Sequence, residues 1–302
     1  MNTSSKPTLD HPLKGILLIC CAVFLFAASD ALSKFLTQFY PVVMVLWVRY
    51  IVHTGLLMTS FLRKSGFSVM RSKRVDLQIV RGICMVSTNM LFISALHFIP
   101  LAEGTAIIYI APLIVAACSW PFLGERVSRS QWFAIVIGFI GVLIIVRPGG
   151  TLFTPVALLA VGAAFSFSIY QLVTRKLSGI DSSTTSNFIS GLISSLVTTA
   201  ILPFYWAMPA DVWHGLLMIG LGISALASHL LMTRAYDYAK PSTLAPFTYG
   251  QLIFAGLIGY LLFGHMPDQY ALLGITIICI SGLMVAWGQR KNVGKPLLSD
   301  PL

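Results

Sequence analysis

The ionisable side chains that interrupt long apolar runs are the ones whose chemistry needs a reason. Asp30 and Lys34 stand four residues apart in the first such run, and Arg49 and His53 four apart in the second. On a helix, residues at i and i+4 share a face, so each pair presents two polar groups side by side. A charge held in hydrocarbon costs about 2.5–3.5 kcal/mol on insertion scales and needs a partner or a water-filled cavity. Asp30 lies about 10 Å from one end of its run and Arg49 about 12 Å into the run that returns, at 1.5 Å per residue. At matching depth, the carboxylate and guanidinium either pair or face one central cavity. Glu103 at the start of the fourth run and Tyr109 deeper within it extend the polar line into a funnel. Lys34 is expected to snorkel toward the headgroups. His97 and Glu103 are expected to meet water at a span boundary.

Other candidates are uncharged: Asn89 in the third run, then Tyr170, Gln171, His229, Tyr249 and Gln251 in the second half. Tyr249 and Gln251 stand beside Pro246, and a proline in mid-helix frees a carbonyl and permits a kink where a cavity or neighbour satisfies it. Pro112 is its first-half counterpart. No HExxH, clustered acidic set or GxxxxGK[ST] loop occurs, so no catalytic residue, metal or cofactor is expected. The five cysteines all sit in apolar runs without disulfide or zinc spacing. Trp206, Trp213 and Trp287 fall near run ends, as an interfacial belt requires. Phe24, Phe26, Phe165 and Phe167 fall inside runs, where they line either a cavity or lipid.

The elements that position these groups follow from composition. Of 302 residues, 57% are hydrophobic and only 10% charged, against about 25% charged in soluble proteins. That is too little to cover a water-facing surface. A helix needs about 20 apolar residues to cross a bilayer, and runs of that size recur at 13–37, 41–62, 77–98, 101–122, 130–147, 153–176, 184–206, 213–237, 242–264 and 268–288. The first is too long for a cleavable signal peptide and reads as a retained span. With the N-terminus in the cytoplasm, every basic residue except Lys34, Arg49 and Arg147 falls in an inner segment. This positive-inside bias predicts cytoplasmic termini and explains the net charge of +10 without nucleic acid.

Ten spans divide into two halves of five, and an odd number turns the second half upside down. Phe24, Phe26, Ser33, Lys34 and Leu36 match Phe165, Phe167, Thr174, Arg175 and Leu177 in order. Tyr109, Gly124 and Gly141 match Tyr249, Gly264 and Gly282. The fold class is therefore an all-α membrane protein, ten transmembrane helices as two inverted five-helix repeats over residues 1–150 and 151–302. Such repeats are frequent in secondary transporters, whose halves exchange conformations.

The stretch Leu101–Val146, with Pro112, the Gly124–Glu125 pair and a Gly-rich last helix, resembles the end of an EamA domain. The second half carries a looser copy, with His265 at the Glu position and Gln251 near the proline position. The resemblance implies a ten-helix member of the drug/metabolite transporter superfamily in a bacterial inner membrane, moving a small molecule. Similar transporters export amino acids and amino-acid-derived metal chelators, or import S-adenosylmethionine or riboflavin. A cavity holding both Asp30 and Arg49 suits a zwitterion, so export of an amino-acid-like metabolite is the expectation. The expected site is Asp30, Arg49, His53, Asn89, Tyr109, Tyr249 and Gln251, and a proton is the candidate coupling ion. A membrane-embedded enzyme or a passive channel is the competing class, though a channel should present rings of like polar groups.

Overall fold

The computed structural model describes residues 12–65, 71–123, 129–147, 154–239 and 241–293. Its helices are α1 (Pro12–Leu36), α2 (Val42–Ser65), α3 (Val75–Phe98), α4 (Leu101–Ile108), α5 (Ala111–Leu123), α6 (Arg129–Val146), α7 (Ala157–Leu177), α8 (Ser183–Ile201), α9 (Val212–Tyr238), α10 (Pro241–Thr248), α11 (Gly250–Phe263) and α12 (Gln269–Val293). No strand occurs among the described residues. In hydrocarbon each backbone N–H and C=O must be satisfied within the chain, and helices do this locally. Nine stretches of described residues are long and apolar enough to span a bilayer, and α12 carries a tenth, shorter apolar stretch over Gln269–Val285. The protein is an all-α, multi-pass membrane protein.

The fourth and ninth spans are each two helices. α4 ends at Ile108 and α5 begins at Ala111, while α10 ends at Thr248 and α11 begins at Gly250. Pro112 sits in the first turn of α5, where its missing N–H would be unpaired anyway. It starts a helix rather than kinking one, and the break falls just before it. Pro246 lies inside α10, where it removes a helical hydrogen bond and crowds the preceding turn. The helix stops two residues later. The two breaks occur at Tyr109 and Tyr249, the matched positions of the duplication.

Loops are closed by local chemistry. The Ser182 hydroxyl accepts from Thr185 N–H at 3.0 Å to cap α8, and Asp211 accepts from His214 N–H at 2.7 Å to cap α9. Gly264 ends α11 at φ +66°, a left-handed conformation that favours glycine. Its counterpart Gly124 lies outside the described residues.

Packing follows an internal two-fold pattern. α1 packs on α9 as α7 packs on α3, and α2 packs on α9 as α8 packs on α3. α1 touches α10 and α11 as α7 touches α4 and α5, while α6 with α12, α2 with α8 and α4 with α11 pair across the axis. Each bundle of three thus borrows its third helix from the other half. Small residues permit these approaches. A Cβ on Gly138 would stand 2.0 Å from Leu113 Cδ1, and one on Gly191 would stand 2.6 Å from Thr54 Oγ1.

Candidate functional site

The two helix breaks meet each other. The rings of Tyr109 and Tyr249 lie 5.2 Å apart at 53°. The Tyr109 hydroxyl lies 2.7 Å from Thr248 O, its acceptor at the end of α10, and 3.1 Å from Gln251 Oε1. Gln251 Nε2 donates in turn to Asp30 Oδ2 at 3.1 Å. A broken helix leaves its last carbonyls without intrahelical donors, so a tyrosine of one half meets a need created by the other. The line Asp30–Gln251–Tyr109–Thr248 therefore crosses between the halves and back. Tyr249 is seated differently: its hydroxyl lies over Gly282 of α12, where a Cβ would stand only 1.5 Å away.

A second cluster lies where α2 meets α8 and α9. Arg49 and His53 are both buried, and Arg49 Nη1 and His53 Nδ1 have no hydrogen-bond partner among the described residues. The His53 ring lies 5.8 Å from His229, which packs edge-on to Phe26 at 5.0 Å. Asn89 donates to Met85 O of its own helix at 3.0 Å and also reaches the Tyr50 hydroxyl. Of the two arrangements expected for Asp30 and Arg49, direct pairing is not made. No ion pair within 4.0 Å joins them among the described residues, and the carboxylate accepts from Gln251 instead.

Two expectations, for Lys34 at the C-terminal end of α1 and Glu103 at the start of α4, are corrected. Lys34 does not snorkel: it is buried and donates to Leu96 O and, at 2.7 Å, to Ile99 O. It caps the end of α3, where helix carbonyls lack donors. Glu103 is not solvated but 3% exposed, with Oε1 3.0 Å from His265 Nε2 and Oε2 unpartnered. His97 is exposed, as expected. Phe24 and Phe165 are also exposed, Phe24 with its ring edge-on to Phe254 at 5.3 Å.

The charge pattern places Arg81 at the inner surface, but it is buried. It donates to Thr174 Oγ1 (2.7 Å), Ser190 Oγ (2.7 Å), Tyr170 OH (2.6 Å), Asn187 Oδ1 (3.0 Å) and Ser186 O, tying α3 to α7 and α8. The available signal was the run of polar side chains at Ser186, Asn187 and Ser190 in a span unusually rich in Ser and Thr. Outside the spans, the Arg147 hydrogen bond at 2.7 Å and Ala271 N–H hold the Asp268 carboxyl below its ordinary range.

Ten spans in inverted halves, broken helices meeting between them and a polar line across that junction define a multi-pass carrier-type membrane protein rather than an enzyme. The profile of the EamA-like transporter family matches residues 13–147 and again 154–287. The chain belongs to that family and is a transporter. It is similar to a riboflavin transporter of Vibrio cholerae, 31% identical over 288 residues covering 93% of this chain and 96% of that one. An S-adenosylmethionine uptake transporter of Rickettsia bellii is 25% identical over 271 residues, 90% of this chain and 92% of its own. The pseudopaline exporter CntI of Pseudomonas aeruginosa is 26% identical over 280 residues, 90% and 97%. A solved crystal structure at 18% identity superposes with a TM-score of 0.62 over 91% of this chain and 98% of that one, a likeness of fold alone.

Proposed function

We propose that this transporter exports an amino-acid-like or amino-acid-derived metabolite, metal-chelating metallophores included, across a bacterial inner membrane. Both termini are cytoplasmic, and residues 1–150 and 151–302 are the repeats that exchange access. Asp30, Arg49, His53, Asn89, Tyr109, Tyr249 and Gln251 line the substrate path. The observation that carries this reading is the hydrogen-bonded line from Asp30 through Gln251 to Tyr109, made where both broken helices meet. Discontinuous helices at a repeat interface are where carriers hold substrates, because half-helix termini bring partial charge to mid-membrane. The starts of α5 and α11 are such termini. A proton is the coupling ion, with Asp30, Glu103 and His53 as the groups able to carry it.

The test compares whole cells with everted vesicles, using labelled amino acids, S-adenosylmethionine and riboflavin in wild type and Gln251→Leu. Outward, saturable, gradient-dependent movement of an amino-acid-like compound, lost in the variant, is expected. The relatives named for riboflavin and S-adenosylmethionine favour a second reading, inward movement of one of those compounds, and flux of either only into cells would replace the first. If Asp30→Asn transports normally across a pH series, the carboxylate has no part in coupling.

A further inference from the structure

Two helix contacts related by the internal two-fold act as controls for each other. On one side α3 lays Gly82 against Ile193 of α8, where an added Cβ would come within 2.7 Å. On the other, α9 lays Gly222 against Val52 of α2, at 2.5 Å. The residues flanking these matched contacts differ. Beside Gly82 stands Arg81, and its guanidinium is ringed by acceptors from α7 and α8. Beside Gly222 stands Leu221, fully buried. There the guanidinium is carried by α2 instead: Arg49 precedes Val52 by three residues, as Ser190 precedes Ile193.

The acceptors were not moved with it. In register, the side chains that serve Arg81 from Asn187, Tyr170 and Thr174 are replaced by Leu46, Ser29 and Ser33, while the Ser186 contact is to a backbone carbonyl that Val45 also has. Leu46 is apolar. The Ser29 hydroxyl bonds Ser224 Oγ at 2.6 Å, and Ser33 Oγ donates to Ser29 O at 2.8 Å. Arg49 Nη1 is left without an acceptor, and one turn along the same face His53 Nδ1 is left without a partner. Both residues are more than nine-tenths buried. Asp30 acts on Arg49 only through space: its carboxylate accepts from the neutral Gln251 amide and makes no ion pair with Arg49 within 4.0 Å among the described residues, so the Nη1 donor itself stays unmet.

A buried guanidinium with an unmet donor is among the costliest arrangements a protein interior holds, because desolvation is not repaid by any partner. The charge and the unmet donor together specify what would relieve it. A neutral carbonyl would satisfy the donor and leave the charge. A carboxylate does both, since its two oxygens match the planar fork of the guanidinium, and the His53 Nδ1 position offers a third contact. We infer that Arg49 and His53 form an anion subsite that takes the carboxylate of the transported compound, while Asp30 serves the protein's own Gln251 and not the substrate's ammonium. This rests on the transporter reading above and narrows the substrate from a zwitterion gripped at both ends to a carboxylate gripped at one.

The experiment uses purified full-length protein in two measurements. First, thermal unfolding without substrate is compared for wild type, Arg49→Met, Arg49→Gln and Arg81→Met. Relief of an unmet charge raises the midpoint of the Arg49 variants by a few degrees, whereas Arg81→Met, which strips a satisfied network, lowers it. Second, tryptophan fluorescence follows binding of amino acids and S-adenosylmethionine beside their carboxamides, with riboflavin as a probe lacking any carboxylate. Carboxylates bind wild type about tenfold or more tightly than carboxamides, and the Arg49 variants erase that difference. Arg49 variants that unfold as early as Arg81→Met overturn the subsite, as do carboxamides that bind as well as carboxylates. Binding of riboflavin alone, unchanged in Arg49→Met, overturns both the subsite and the amino-acid reading. If no probe binds wild type, the amino-acid reading fails and the unfolding comparison alone decides the subsite.

Discussion

Gly282→Ala is the smallest change that tests how the second broken helix is held. A Cβ at this position would stand 1.5 Å from the Tyr249 hydroxyl, 2.3 Å from Cζ and 3.0 Å from Cε1. Ordinary carbon contacts begin near 3.5 Å, so the ring must retreat by about 2 Å. α12 has no room to yield, because it packs along α6 and Ser281 beside the glycine is fully buried. Tyr249 must therefore turn and give up its packing on Tyr109. Overpacking costs about 1–3 kcal/mol and loss of an aromatic pair about 0.5–1.5 kcal/mol, so destabilisation of about 2–4 kcal/mol is expected, with transport falling alongside. The assay is a double-mutant cycle with Tyr249→Leu, read by thermal unfolding and by flux in vesicles. Leucine lacks the atoms that meet the methyl, so Gly282→Ala should cost little in that background, a coupling above about 1 kcal/mol. A Gly282→Ala protein with wild-type unfolding and flux, or an equal loss in both backgrounds, would refute this account of the contact.

Three further outcomes follow from single contacts. Tyr109→Phe removes the donor to Thr248 O and Gln251; interhelical hydrogen bonds in membranes average about 0.6 kcal/mol, so the fold should survive while flux measured at equal expression drops. Lys34→Met strips Leu96 O and Ile99 O of their donor and should cost about 1–3 kcal/mol in unfolding, whereas a merely snorkelling lysine would leave stability unchanged. Burial alone would raise the Asp181 carboxyl, but bonds from Lys73 N–H, Ser72 and Gln78 outweigh it and hold it below the usual range. That stabilisation is present above about pH 4 and disappears as pH falls through the depressed value. Asp181→Asn should flatten this acid limb, and after screening at a half-exposed position the whole effect should stay near about 1 kcal/mol.

The spans were legible because hydrocarbon imposes a one-body rule: a residue facing lipid is apolar whatever its neighbours are. Nearly every span end agrees with the expected one to within a few residues. The breaks in the fourth and ninth spans were half legible. Pro112 and Pro246 marked the right segments, yet the chain parts at Tyr109 and Tyr249, because where a helix ends depends on which side chain arrives to meet the freed carbonyl. Tyr109 arrives from the other half, and no spacing within one helix announces that.

The same distinction separates the polar residues that were placed correctly from those that were not. Depth along a helix is a one-body quantity, and it put Asp30 and Arg49 at one level. Partnership is a pair quantity, and depth alone left open whether Asp30 and Arg49 pair or face one cavity; they do not pair, and Gln251 holds the carboxylate. Lys34 and Arg81 misled for a related reason. A basic residue near a span end reads as an interfacial charge unless its acceptors are known, and those acceptors lie on α3 for one and on α7 and α8 for the other. The duplication itself offers a remedy. Two halves with one packing pattern let each contact be compared with its twin, and a polar group satisfied in one copy but orphaned in the other is marked by that difference. Here each half carries one buried guanidinium at a different position of the same contact: Arg81 is ringed by acceptors and reads as scaffold, whereas Arg49 keeps an unmet donor and is the one we propose for the substrate path, a separation that composition, depth and charge count do not make.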